Sequence, residues 1–197
     1  MHILSFRKSC PEWQLTILEY RSEFGSGLGS HLNPQRSEER RPRFGDLLME
    51  VRDAEPAEMR QVAELSRGLA ADVLDPDPGA DATSLSKYGF GADRWFECLV
   101  AVSETRVIGF ACYCRIFEAH TRERRLWLGD LYVLPAARGK GVGGALVAAL
   151  RKRADRLHCT GISLELARGN DVGRAFYAKV GAKPSDQIDV LRISTAR

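Results

Sequence analysis

Apolar and polar positions along the chain fall into two regimes that change over near residue 48. From there on, periodic patterns succeed one another. Leu48–Arg52 reads as a first strand. Pro56 stands at a helix start, and Met59, Val62, Ala63, Leu65 and Leu69 then recur at helical spacing. Asp72, Asp75 and Asp77 lie in a loop with Pro76, Pro78 and Gly79, and Ala82–Tyr88 reads as a short second helix. Glu97–Val102 and Val107–Arg115 form a hairpin about a turn at Ser103–Arg106, and Leu126–Leu134 follows a charged turn at Thr121–Arg125. Leu146, Leu150, Ala154 and Leu157 mark one face of a helix over Gly141–Leu157. Ile162, Leu164 and Leu166 alternate with polar or small residues as a strand does. Asn170–Val180 reads as a last helix closed by Gly181, and Val190–Ser194 as a final strand. Antiparallel strands first, then strand–helix–strand–helix–strand, predict an α+β (mixed α/β) domain. Its central mixed, mostly antiparallel sheet is flanked by helices.

Before residue 48 the pattern is different. Trp13–Tyr20 has the character of a short helix or strand, but residues 24–46 are rich in Gly, Ser, Pro and charge, which is linker chemistry. Residues 1–47 are therefore expected to be a flexible N-terminal extension, and 48–197 the folded domain. Met49 is even a candidate for the true translation start.

Composition narrows the class. The 197 residues carry 44% apolar and 28% charged side chains, ordinary for a globular protein. No apolar run approaches the roughly 18–20 residues of a membrane-spanning helix, and the first residues lack the apolar core of a signal peptide. A cytoplasmic location without membrane partners is expected. The net charge of +3 is spread among interspersed signs. The Arg-rich stretch Arg36–Arg43 is interrupted by Glu38 and Glu39, so no nucleic-acid partner is expected. Five cysteines are odd in number and lie mostly in apolar runs, which suits free buried thiols. Cys112 and Cys114, two apart on a strand, share a face and make neither a redox pair nor a zinc knuckle, and no metal is expected.

The strongest local signal is Leu134-Pro-Ala-Ala-Arg138-Gly139-Lys140-Gly141-Val142-Gly143-Gly144, between a strand and a helix. Glycines there let successive backbone N–H groups approach a phosphate at the positive end of a helix. Lys140 is followed by Gly141, so this is not a Walker loop. Gly139, Gly141 and Gly144 satisfy a dinucleotide fingerprint, but a Pro-containing spacer separates them from the strand and no acidic residue follows at the required distance.

Read as Arg138-x-x-Gly141-x-Gly143, the stretch resembles the acetyl-CoA pyrophosphate loop of the GNAT superfamily of N-acetyltransferases. Downstream, Asn170-x-x-Gly173-x-x-Phe176-Tyr177-x-x-x-Gly181-Ala182 is similar to that family's second motif, and Leu128–Val133 resembles the strand before the loop. Gly89-Phe90-Gly91, Cys98–Ala101, Val107–Ala111 and Gly181-Ala182 resemble the diamine and polyamine acetyltransferase branch. The resemblance implies the GNAT fold, acetyl-CoA as cosubstrate and a homodimer. It implies that Leu131, Tyr132, Val133, Arg138, Gly139, Lys140, Gly141, Val142, Gly143, Gly144, Asn170 and Phe176 bind acetyl-CoA. Arg138 either adds charge or anchors the loop, and Asn170 serves as helix cap, ligand contact or both.

Acetyl transfer to an amine requires a held thioester, a neutral amine, a stabilised oxyanion and a proton for the leaving thiolate. Within the motif Tyr177 is the candidate acid, since a phenol of pKa about 10 is protonated at neutral pH. Where the polyamine branch commonly has a glutamate, this chain has Gly129. Asp130 is then the candidate base, with Glu118 and His120 as alternatives. Strand alternation puts Asp130 on the face of Leu128 and Tyr132. Asp72, Asp75, Glu118, His120 and Asp189 are candidate acceptor contacts for a cationic substrate. The expected activity is direct acetyl transfer to a small amine, diamine or polyamine. Acetylation of a protein N-terminus or lysine, and acetyl-CoA sensing without turnover, are the alternatives.

Overall fold

The structure, a computed structural model, describes residues 43–44, 47–73, 75–79, 81–185 and 189–194. The predicted element at Trp13–Tyr20 and most of the predicted linker lie outside the described residues. A two-stranded ladder of β1 (Arg43–Phe44) and β2 (Leu47–Leu48) straddles the predicted domain boundary. The main sheet has five strands in sequence order: β3 (Glu50–Asp53), β4 (Glu97–Ser103), β5 (Arg106–Glu118), β6 (Glu123–Val133) and β7 (Gly161–Leu164). The first four are antiparallel and β7 joins β6 in parallel. The expected mixed, mostly antiparallel sheet flanked by helices is therefore present.

Helix α1 (Met59–Asp72) covers one face and α3 (Val142–Arg156) the other. Pro56 opens a 3-10 turn (Pro56–Glu58) rather than the α-helix itself, and α1 begins at Met59. Burial on both faces explains why Val107–Tyr113 of β5 is buried at seven successive positions instead of alternating. On the α3 side, Leu99, Ala111, Tyr113, Leu126 and Leu128 pack with Val142, Leu146 and Leu150. On the α1 side, Cys98, Val100, Phe110, Cys112 and Tyr132 pack with Met59, Val62 and Leu65. Each fully buried Leu or Phe contributes about 1.5–3 kcal/mol. Helix α2 (Ala82–Phe90) is capped by Asp81, whose side chain accepts from the Thr83 N–H, and α4 (Asp171–Lys179) by Asn170.

Three predicted features differ. The alternation at Ile162–Leu166 yields a strand that stops at Leu164. Val190–Ser194 forms no strand: Leu191 and Ile193 are 87% and 94% exposed, and Arg192 forms an ion pair with Glu165 at 2.7 Å. A β-rich sequence gains little without a neighbouring strand to pair with. The third difference lies in β6 and shapes the site.

Candidate functional site

Along β5 and β6 the register runs Ala111↔Leu131, Cys112↔Asp130 and then Tyr113↔Leu128, so Gly129 is an extra residue in β6. This β-bulge shifts the alternation by one. Leu126 and Leu128 face α3, as do Leu131 and Val133, while Asp130 and Tyr132 face α1. Asp130 thus shares the face of Tyr132, as expected, but not that of Leu128. A Cβ at Gly129 would meet nothing nearer than the Cys112 carbonyl oxygen at 3.8 Å.

The same point is where the sheet forks. β6 pairs with β7 from Arg125↔Gly161 to Leu128↔Leu164 and no further. Beyond Leu128 the edge of β6 that faced β7 has no strand partner among the described residues. Residues 129–133 thus offer main-chain donors and acceptors along an open cleft.

β6 leads through a 3-10 turn (Pro135–Ala137) into the glycine-rich turn, which is exposed from Arg138 to Gly141. Gly139 and Gly141 hold φ of +75° and +84°, a left-handed conformation that side chains resist. Gly141 caps α3 without any side-chain hydrogen bond, so the first N–H groups of the helix are left for a ligand. A Cβ at Gly143 would come within 3.1 Å of the Phe176 ring, so that glycine admits Phe176 against the helix start, whereas Gly144 has open space. Lys140 is exposed and Val142 is buried in the core.

Arg138 is held three ways. Its Nε donates to the Val133 carbonyl at 2.9 Å, its guanidinium pairs with Asp72 at 2.5 Å, and it lies 5.2 Å from the Tyr132 ring centre. Of the two readings of Arg138, these contacts support the anchor. A Cβ at Gly68 of α1 would overlap the Tyr132 hydroxyl, so that helix glycine is required by the same packing.

Tyr177 packs beside Phe176, with ring centres 5.1 Å apart edge to face, and against the α3-side core. Burial, and secondarily the charge of Asp130, push its phenol up to about 12. Solvent still reaches Asp130, yet the surrounding protein raises its carboxyl above the ordinary carboxylate range. Among the described residues no ion pair or hydrogen bond engages the Asp130 carboxylate. The Cys112 thiol across from it is driven well up, first by its hydrogen bond with Cys98 and then by burial.

Asp72 is engaged by Arg138, and Asp77 by Arg67 at 2.7 Å. Asp75 and Asp189 are exposed. Glu118 and His120 lie at the far end of the β5–β6 hairpin, about 20 Å along the strand from Asp130. Asn170 accepts from the Gly173 N–H at 2.7 Å as a helix cap. Trp127, on the face of Asp130, and the bulge at Gly129 were missed. Their signal is in the core positions 126, 128, 131 and 133, whose spacing breaks from two to three.

Compared with known proteins, residues 64–182 match the profile described as Acetyltransferase (GNAT) family. The chain is similar to thialysine N-epsilon-acetyltransferase of Mus musculus, 26% identical over 142 residues, 68% of this chain and 83% of that protein. It is similar to spermidine/spermine N(1)-acetyltransferase-like protein 1 of Homo sapiens, 28% identical over 142 residues, 68% of this chain and 20% of that protein. It shares the fold of ribosomal-protein-alanine N-acetyltransferase from Brucella melitensis biovar Abortus 2308, with a TM-score of 0.62 and 23% identity over 74% of this chain and 99% of that one.

Proposed function

The chain belongs to the GNAT acetyltransferase family, and on that premise we propose that it transfers acetyl from acetyl-CoA directly to a primary amine of a small amine, diamine or polyamine. The observation that carries this reading is the open fork of β6, with Asp130 on it, one short turn before an uncapped, glycine-lined helix start.

Backbone N–H groups from Gly139 to Gly144 hold the pyrophosphate, each favourable charge contact at a helix start being worth about 0.3–2 kcal/mol. Arg138 keeps the turn against β6 and α1. Main-chain N–H groups at Leu131–Val133 polarise the thioester carbonyl and take up the charge that develops on its oxygen. An amine such as lysine's has a pKa of about 10.4, and Asp130, with its raised pKa, accepts the proton that frees the lone pair.

Tyr177 faces the departing sulfur. A phenol at about 12 stays protonated at any working pH. It is a weaker acid than a thiol of about 8.5. Its contribution is therefore a hydrogen bond to the thiolate as the C–S bond breaks, with solvent supplying the final proton. Cys112 and Cys98 beside Asp130 are buried and, in the case of Cys112, held strongly protonated, so neither suits a covalent acetyl relay and transfer is direct. The related proteins named for thialysine and for spermidine/spermine support an amine acceptor. As a working unit we assign residues 48–197, assembled as a homodimer.

CoA-thiol release with a panel of amines tests the reading. Tyr177→Phe is expected to lower kcat about 10–100-fold with acetyl-CoA binding kept. An unchanged rate would remove Tyr177 from the chemistry.

A further inference from the structure

The bulge at Gly129 does more than open the fork. In a regular strand, positions 127 and 130 point to opposite faces. The extra residue brings both to the α1 side, on successive rows of the sheet about 7 Å apart. One row runs Cys98–Cys112–Asp130 across β4, β5 and β6, and the next places Cys114 opposite Trp127. Phe96, just before β4, continues that second row and packs under Gly89 of α2. Cys114 and Trp127 are only half-buried, and neither belongs to the core that α1 covers. Beside a carboxylate that has no ion pair among the described residues lies a surface of thiol, indole and phenyl groups, and the row beyond it places Arg125, paired with Glu123, opposite Ile116.

That pattern is selective. Asp130 supplies one anionic contact for one ammonium group. A second cationic centre farther along the acceptor would meet Cys114 and Trp127, where it needs a carboxylate. Of the acidic residues considered for it, Asp72 is paired with Arg138 and Asp77 with Arg67, Glu118 lies at the far hairpin, and Asp75 and Asp189 are exposed and lie in neither row. An apolar or aromatic arm, by contrast, gains from covering the indole and the half-buried thiol.

We infer that the acceptor is a primary amine with a single cationic centre carried on an apolar arm, and that Trp127 is a specificity-determining residue that receives that arm. The inference rests on the acetyl-transfer reading of the same cleft and narrows its substrate class.

Initial rates with acetyl-CoA and four probes test it: 2-phenylethylamine, hexylamine, 1,4-diaminobutane and spermidine. The two monoamines are expected to exceed the two polycations in kcat/KM by about tenfold or more, the scale of one indole contact. Trp127→Ala should raise KM for 2-phenylethylamine about tenfold with kcat within about twofold, and leave the KM for 1,4-diaminobutane near its starting value. Trp127→Phe should restore most of the loss. Acetyl-CoA affinity, measured by calorimetry on each variant, reports that the cleft is still folded. Spermidine or 1,4-diaminobutane turning over as well as the monoamines would overturn the inference and leave acetyl transfer standing. Equal losses for all four amines in Trp127→Ala would also overturn it. No thiol release with any amine, in a protein that binds acetyl-CoA, would overturn the acetyl-transfer reading and this inference with it.

Discussion

Asp130 combines two properties that a residue chosen for stability alone would not combine. Its carboxyl is pushed up by burial, and it has no ion pair among the described residues. The folded-state pKa therefore lies above the unfolded one, and the folded chain binds the proton more tightly. That contribution to stability is complete below the unfolded pKa and is lost as pH rises through the folded value, so at neutral pH the ionised carboxylate works against the fold. Asp130→Asn is accordingly expected to raise Tm at pH 7, with the gain shrinking in acid, and to lower kcat about a hundredfold or more. Thermal melts at pH 4 and pH 7, together with initial rates, check both halves. In the wild-type chain the rate should climb with pH through that same raised value, and no alkaline loss from Tyr177 should appear below about pH 11, given a phenol at about 12.

Among the elements, the glycine turn and the bulge show what periodicity can and cannot carry. Gly141 at φ +84° and Gly144 with open space around it separate two roles. Gly141→Ala forces a side chain into the left-handed region at about 1–2 kcal/mol and should lower Tm as well as acetyl-CoA affinity. Gly144→Ala meets no neighbour and improves helix propensity by up to about 1 kcal/mol. It should hold or raise Tm while still weakening acetyl-CoA binding, as melts and calorimetry would show. The four helices of the described residues and the antiparallel strands were legible because their apolar residues repeat at 3.6 or 2. The glycine turn was legible because its residue types are nearly dictated by the conformation. The register of β6 was not, because assuming an unbroken period of two placed Asp130 with Leu128 and hid Trp127. Val190–Ser194 misled for the opposite reason, since strand propensity without a partner strand makes no strand. The pairing of Asp72 with Arg138 spans 66 residues of sequence and leaves no local trace.

The described domain is organised around a sheet whose first strand, β3, starts at Glu50, with Met49 already 2% exposed in the core. Across the boundary just before it, the Ser103 hydroxyl donates to the Leu48 carbonyl at 3.0 Å, a contact worth about 1 kcal/mol. A chain beginning at Met49 is expected to fold with Tm lowered by a few degrees at most and to bind acetyl-CoA with unchanged affinity. Failure to bind would give residues 1–48 a part in the working unit. The fork between β6 and β7 has its own bearing on the life of the protein. A sheet in which β6 and β7 stop pairing at Leu128 leaves main-chain groups of β6 open, and a bound acyl donor with an extended, amide-bearing arm would cover them. Saturation a hundredfold above Kd adds about 2.7 kcal/mol to the folded state. In a cell, the enzyme's resistance to unfolding and proteolysis would then follow the supply of its own donor, so that abundance and fuel rise and fall together.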